Sequence, residues 1–363
     1  MRILQIVTQT KVGGAESFAL SLSGALARRG HEVRLLANRD NGPLLERTPP
    51  GVSAFACRRS SRLDLGIIPF LERHLGEFRP EIVHGHNFPA NTWARALGFL
   101  HPRLRIVCHE HSGKIGKRPG RRFAIDRILN RRTSLVFAVS EEIVQVLRRA
   151  RVIDPGRIHH LAVGIDVSRY GNARGDESIL PEAARGRARA LQVASLIPVK
   201  NHRLVLEAFA PVAASTDAVL LLAGDGPLRG EIEERIARPD LRGRVILLGL
   251  RSDVAELLSL STAFVLSSSA EGMPLSLLEA MAAGVCPIVP AVGAIPSLVT
   301  DGESGFLFTA DQQAGLSAAL QRALADPAAA QALGAHGRAR VAERYSIDAI
   351  AAQVEEHYRK IRR

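Results

Sequence analysis

Short apolar runs alternate with amphipathic stretches along most of the chain, and this rhythm constrains the fold more than any other feature. "ILQIV" (3–7) has the unbroken apolar character of a strand buried on both faces. Ala15, Phe18, Ala19, Leu22 and Leu26 then recur at helical spacing, and Gly30 stands where that helix should end. "EVRLLA" (32–37), "IVHGH" (82–86), "RIVCH" (105–109) and "SLVFAVS" (134–140) read as the next strands. The pattern lapses in "VSRYGNARGDESILPEAARGR" (167–187), rich in glycine and charge, which is the best linker candidate. It then resumes, with strands "RALQVASL", "AVLLLAGDG", "RVILLG", "TAFVLSSS" and "CPIVP" alternating with helices "HRLVLEAFAPVAA", "LRGEIEERIA", "SDVAELLSL" and "LSLLEAMAAG". The expectation is an α/β chain of two doubly wound lobes of mainly parallel sheet facing a central cleft. Residues 1–167 would form the first lobe, 168–188 a hinge, 189–344 the second lobe and 345–363 a last helix. A length of 363 residues suits two domains.

In such sheets ligands bind beyond the carboxyl ends of the strands. "TKVGGAES", "HGHN" and "HEHSG" occupy those positions in the first half, and "SLIPVKNH", "GDGPL" and "SSSAEGMP" in the second. Gly13 and Gly14 lie between a strand and a helix, where missing side chains would let a ligand approach helix N-terminal amides; a plain tight turn is the alternative. There is no Walker A motif. Lys200 follows a strand and could lend positive charge to a diphosphate, or be a solvated loop lysine. In "SSSAEGMPLSLLEAMAAG" (267–284), Gly272 and Pro274 place Glu271 in a loop ahead of a helix. If Ser276 caps that helix, "SLLE" is a capping box and Glu279 only serves backbone amides. If Pro274 is the first helical residue, Glu279 lies in the second turn, free to face the cleft, and the amides near Leu275 and Ser276 point at the loop. Local rules leave both open.

His84, His86, His109 and His111 form two H-x-H pairs at strand ends, where alternate side chains share a face. No CxxC or HExxH accompanies them, so ligand hydrogen bonding is favoured over a metal. Cys57, Cys108 and Cys286 are too scattered for a disulfide framework and suit buried thiols in a reducing compartment. "MRILQIVTQT" enters a strand pattern without the regions of a secretion signal. The uncharged run 280–299 is interrupted by Pro287, Pro290 and Pro296. A cytoplasmic protein is the expectation.

The net charge of +12 would suit nucleic acid, a membrane surface or an acidic ligand. Only five of the 48 basic residues are lysine, so part of the excess is a bias toward arginine. Residues 113–132 hold eight basic groups against Asp126, and a helix starting near Gly120 would set Phe123, Ile125, Ile128 and Leu129 among arginines, as on a membrane-surface helix or one meeting an anionic acceptor. An arginine-rich helix packed on its own lobe is the plainer reading. Aromatic residues make up only 4% of the chain, which leaves few stacking platforms for nucleic acid.

In order, "GGAE", "VSEEI", "VASLIPVKNH", "LLLAGDGPLR", "LLGLRSDV", "SSSAEGMPLSLLEAMAAGV" and "LVTDGESGFLF" resemble the retaining glycosyltransferases of family 4, which have the GT-B architecture. The most specific element is the glutamate, seven residues, glutamate spacing after the loop lysine. The resemblance implies transfer of a sugar from a nucleotide-diphosphate donor, a UDP- or GDP-sugar, to a glycan or lipid-linked acceptor in the bacterial cell envelope. It implies no cofactor and no metal. Glu279 would hold the ribose, and Glu271 would lie by the donor sugar and its anomeric centre as a positioning and charge-stabilising group. Lys200, the amides of Leu275 and Ser276, and Gly14 would hold the diphosphate. Gly272, Met273 and Pro274 would border the sugar, Arg251 the base, and His111, or failing it His109, would touch the sugar. Gly13, His109, Arg121 and Arg122 are the acceptor-side candidates. The family's last helix often crosses back to the first lobe, and Ile347, Ile350, Ala351, Val354 and Tyr358 have the spacing for it. Ser195, itself among the donor-binding candidates, stands where many relatives have an arginine, and Val163 where many have an asparagine. Ser195 keeps open a second reading, a non-catalytic GT-B protein that binds a nucleotide-sugar or glycan.

Overall fold

The computed structural model describes residues 1–11, 13–58, 66–111 and 127–362. The chain forms two compact units, Met1–Ile165 with Ile347–Arg363, and Asp166–Ser346.

The first unit is built on seven strands: β1 (Arg2–Val7), β2 (Glu32–Ala37), β3 (Val52–Ala56), β4 (Ile82–His86), β5 (Arg105–Glu110), β6 (Thr133–Ala138) and β7 (Ile158–His160). They are parallel throughout, in the order β3-β2-β1-β4-β5-β6-β7. The apolar β1 and β4 lie mid-sheet with almost every residue buried, while β3 alternates half-buried and exposed residues at the sheet edge. The helix Gly14–Arg28 buries Phe18, Ala19, Leu22 and Leu26, the stripe that its spacing predicts. Gly30 follows it at φ +82°, a conformation that leaves the chain free to turn into β2.

The last helix, Ile347–Arg362, packs on this same unit and buries Ile347, Ile350, Ala351, Val354 and Tyr358. Arg28 and Arg29 pair with Asp348 and Glu355 at 2.7 and 2.6 Å. Gly164 makes the approach possible, since a Cβ there would stand 2.8 Å from Ile350 and 2.9 Å from the Ile347 backbone.

The second unit has six parallel strands: β8 (Arg189–Val193), β9 (Val219–Ala223), β10 (Val245–Gly249), β11 (Ala263–Val265), β12 (Cys286–Pro290) and β13 (Phe306–Phe308). Their order is β10-β9-β8-β11-β12-β13. The helix His202–Ser215 seats Val205, Phe209 and Val212 on β8 and β9. Each fully buried side chain of that size contributes about 1.5–3 kcal/mol.

The stretch 168–188, expected as a hinge, lies within the second unit. It carries the helix Val167–Gly171 and two single-turn helices, Glu177–Ile179 and Glu182–Ala184. Polar contacts hold it: Asp166 and Asp176 cap two of the turns, Glu177 pairs with Arg189 at 2.8 Å, and Gly175 donates to Ser259 at 2.8 Å. A segment fastened this way needs no amphipathic stripe, which is why it reads as a linker. The uncharged run 280–299 breaks into the end of one helix, β12 and the short helix Ile295–Leu298. Among the described residues no helix is long and apolar enough to cross a membrane. All three cysteines are buried.

Candidate active site

In each sheet the order reverses beside its first strand, between β1 and β4 and between β8 and β11. Such a switch point opens a crevice outside the strand ends. In the second unit, Lys200 follows β8 and Glu271 follows β11, and Lys200 Nζ donates to Glu271 Oε1 at 2.6 Å. Both side chains remain partly exposed, at 21% and 10%.

The local folding that joins them is specific. After β8 a single-turn helix, Pro198–Lys200, ends at Asn201, whose left-handed φ of 47° starts the helix His202–Ser215. The serine run after β11 clasps this turn. Ser267 donates to the Lys200 carbonyl at 2.9 Å while accepting from Gln192 at 3.2 Å, and the Ser269 amide donates to Val199 at 2.9 Å. Glycines after β9 and β12 let neighbouring loops close in. A Cβ on Gly224 would lie 1.9 Å from the Ala194 carbonyl oxygen, and one on Gly226 2.5 Å from that of Leu196. Gly293, at φ +56°, would put a Cβ 2.0 Å from the Glu271 carbonyl oxygen, and the neighbouring Ala294 amide donates to Gly272 at 3.0 Å. Sequence reading passed over Gly293 and the serine clasp; the signal was a glycine three residues after a strand, in "VPAVGAIP".

The helix after the loop spans Leu275–Ala282, with Pro274 as N-cap at φ −75° and ψ 116° and no side-chain cap. Both expected starts are therefore corrected. Ser276 lies inside the helix, so there is no capping box, and Pro274 precedes the first turn instead of opening it. Extended backbone suits proline just outside a helix, and the first-turn amides of Leu275 and Ser276 have no intrahelical acceptor. Met273 and Pro274 are buried, and Gly272 is half-buried. Glu279, in the second turn, accepts from the Tyr170 hydroxyl at 2.7 Å. Burial, and then the Glu279 charge, push the Tyr170 phenol well above its usual range, so it stays a donor. Tyr170 was missed because it lies in the apparent linker. Ser195 is exposed. Arg251 is committed to Asp253, with Nε on Oδ1 at 2.7 Å, and to the Ile179 carbonyl at 3.3 Å; this pairing raises the guanidinium's pKa and lowers that of the Asp253 carboxyl.

In the first unit, Gly13 is the extended N-cap of the helix Gly14–Arg28, again without a side-chain cap, and Gly14 is exposed. A Cβ on Gly13 would stand 2.8 Å from Glu16 Oε2, and burial raises the pKa of that carboxyl. At the ends of β4 and β5, His84, His86, His109 and His111 form a stack next to Phe18, with neighbouring ring centroids 4.2–5.5 Å apart. Burial lowers all four pKa values, that of His111 to about 3, so the rings are neutral at pH 7. His109 is fully buried inside the stack.

Nitrogens of His84, His86 and His109 lie within 4.8 Å of one another. However, the planes of His84 and His109 differ by 4° and those of His86 and His109 by 27°. An imidazole binds metal through a lone pair in its own plane, so near-parallel rings would have to turn before converging on one ion. Arg121 and Arg122, and most of the basic segment, lie outside the described residues.

Two family models match the chain. "Glycosyl transferases group 1" covers residues 181–340 and "Glycosyltransferase Family 4" residues 12–169. The chain is 26% identical to N-acetyl-alpha-D-glucosaminyl L-malate synthase of Bacillus anthracis, over 97% of this chain and 95% of that one. It is 25% identical to the UDP-Gal:alpha-D-GlcNAc-diphosphoundecaprenol alpha-1,3-galactosyltransferase of Escherichia coli, over 85% and 84%. Its fold is similar to that of Anabaena HepE in complex with UDP and glucose, with a TM-score of 0.84 at 21% identity over 98% of both chains.

Proposed function

The chain belongs to the family 4 glycosyltransferases of GT-B architecture, and from that premise we propose that it moves a sugar, with retained anomeric configuration, from a nucleotide-diphosphate donor to a glycan or lipid-linked acceptor. The observation that carries this reading is the Lys200–Glu271 pair at the switch point of the second sheet, on the loop that leads to an uncapped helix N-terminus. Cleaving a glycosyl phosphate bond loads negative charge on the leaving diphosphate. A lysine and helix amides meet that charge with no metal required.

In this reading the diphosphate takes Lys200 away from Glu271, leaving the carboxylate to position the sugar and offset charge at the anomeric carbon. The acceptor oxygen bonds to that carbon as the phosphate oxygen leaves, on the same face, and a phosphate oxygen takes the acceptor's proton. Glu279, oriented by Tyr170, would hold the ribose, and the Leu275 and Ser276 amides the diphosphate. His111 would meet a sugar hydroxyl. The activated leaving group needs no general acid, so the two glutamates are not an acid–nucleophile pair of the glycosidase kind.

The relative named for a diphosphoundecaprenol substrate supports a lipid-linked acceptor. Arg127, Arg131 and Arg151 line a cavity of about 610 Å³ with Ile128, which is 57% exposed, chemistry that suits an anionic acceptor or headgroup. The test is a thermal-shift screen of UDP-, GDP- and ADP-sugars, followed by donor hydrolysis and transfer assays on the hit. Loss of turnover in a folded Glu279→Ala variant supports the assignment, and full activity there sinks it. Donor binding without turnover on any acceptor would favour the non-catalytic reading that Ser195 raises.

A further inference from the structure

The first unit's histidine stack contains a directed chain of hydrogen bonds. Gln5, fully buried on β1, lies in register with His84 on β4, and its Oε1 is 2.7 Å from His86 Nε2. A carbonyl oxygen only accepts, so His86 Nε2 carries the hydrogen. A neutral imidazole has one N–H and one lone pair, which leaves the lone pair on His86 Nδ1. That atom lies 3.0 Å from His111 Nε2, which must therefore donate. His111 Nδ1 is then a bare lone pair, and it is buried with no hydrogen-bond partner among the described residues. An unmet acceptor of this kind calls for an explanation, and a hydroxyl donated by a ligand supplies one. The low pKa values of His86 and His111 keep both rings in the neutral form that the chain requires.

We infer that Gln5 and His86 are positioning residues that fix the tautomer of His111, so that His111 offers a lone pair, and not an N–H, to a hydroxyl of the bound sugar. The hydroxyl's identity as part of a sugar rests on the function proposed above; the tautomer does not. An acceptor at this point discriminates by chemistry, because it pairs with O–H but rejects a ligand atom that can only accept, such as fluorine. Tyr358, 2.6 Å from His84 Nδ1, also meets the Gln5 amide, so the same glutamine joins it to this network.

Long-range proton–nitrogen NMR on the full chain with ¹⁵N-labelled histidine reads the tautomers directly, without substrate. His86 and His111 should both be Nε2–H at pH 7, and an Nδ1–H form of His111 would overturn the inference. Gln5→Met should release the preference and give mixed tautomers at both rings, while Gln5→Glu, which keeps an acceptor oxygen, should restore it. An unchanged spectrum in folded Gln5→Met would remove Gln5 from the role, and should that variant not fold, the wild-type spectrum decides. UDP-glucose serves as the ligand probe: once bound, it should shift His111 Nδ1 toward the hydrogen-bonded range with no change of tautomer. Bound UDP-glucose with Nδ1 unmoved would overturn the contact. The expected tautomers with no turnover of any nucleotide-sugar would count against the proposed function alone.

Discussion

The two units place opposite chemistry at equivalent points of the same topology. Around the first sheet's switch point the groups are neutral and largely sealed: four stacked histidines, a buried glutamine and a carboxyl with a raised pKa. At the second they are charged and partly open, with Lys200 on Glu271 and a helix end without a side-chain cap. Strand order thus chooses where a ligand can bind, and the loops choose whether it meets fixed dipoles or mobile charge. A neutral, preorganised wall suits recognition of hydroxyls. A charged pair that a ligand can divide suits a diphosphate whose charge grows during reaction.

The sharpest way to break the contrast is to remove the charge. Lys200→Ala should lower kcat by about 10²–10³-fold, the usual loss when one group stabilising transition-state charge is deleted. The melting temperature should change little, because both members of the pair keep contact with water. A large fall in stability with turnover intact would make the pair structural. Next in size is Gly293→Ala. It forces a β-carbon onto the Glu271 carbonyl from a left-handed backbone, so the loop must move. A displacement of about 1 Å costs up to about 10²-fold in rate, and a crystal structure of the variant would show Glu271 displaced from Lys200.

Acid should separate the units by stability. Burial depresses His84, His86, His109 and His111, so on unfolding these rings gain protons whenever the pH lies below the unfolded value of 6.5. Stability conferred by the first unit is therefore full above pH 6.5 and declines as pH falls, over a window that for His111 extends to about 3. The slope is about 1.4 kcal/mol per pH unit for each histidine. Glu16 works the other way, since its raised carboxyl favours the protonated folded state above pH 4.5, but it is one group against four. Among the described residues of the second unit only His202 is strongly depressed, to about 4. Calorimetry between pH 7 and 5 should show the first unit's transition moving down faster.

Much of this was legible in sequence because parallel strands buried on both faces leave unbroken apolar runs, and because Lys200 and Glu271 lie in loops that follow strands, with Glu279 on the helix after the second of them. The helix Gly14–Arg28 and the last helix carry their apolar stripes openly. What stayed hidden depends on contacts between distant segments. Tyr170 reaches Glu279 across 109 residues, and Gln5 reaches His86 across 81. Gly293 looks like any turn glycine until the Glu271 backbone lies against it. The helix start falls one residue after the proline start and two before the serine one, because proline tolerates both the N-cap and the first helical position, and only the tertiary placement of the loop distinguishes them.

The smallest expected effect tests whether the second site works through charge as such. Ser195 is exposed in the loop between β8 and Lys200, at the position where the resemblance to family 4 implies an arginine. Ser195→Arg adds a cation whose partner would be the donor's diphosphate. At an exposed position the gain should resemble that of a surface ion pair, about 0.2–1 kcal/mol, or up to about fivefold in donor affinity. Being exposed, it should fade as salt rises from 0.05 to about 0.5 M, where the screening length shrinks to roughly 4–5 Å. Titrating the diphosphate donor at both ionic strengths measures this directly. A gain that persists at high salt would mean that the new arginine makes a specific contact, and no gain at low salt would mean that the diphosphate lies beyond the loop's reach, which would weaken the assignment of Lys200 on that loop.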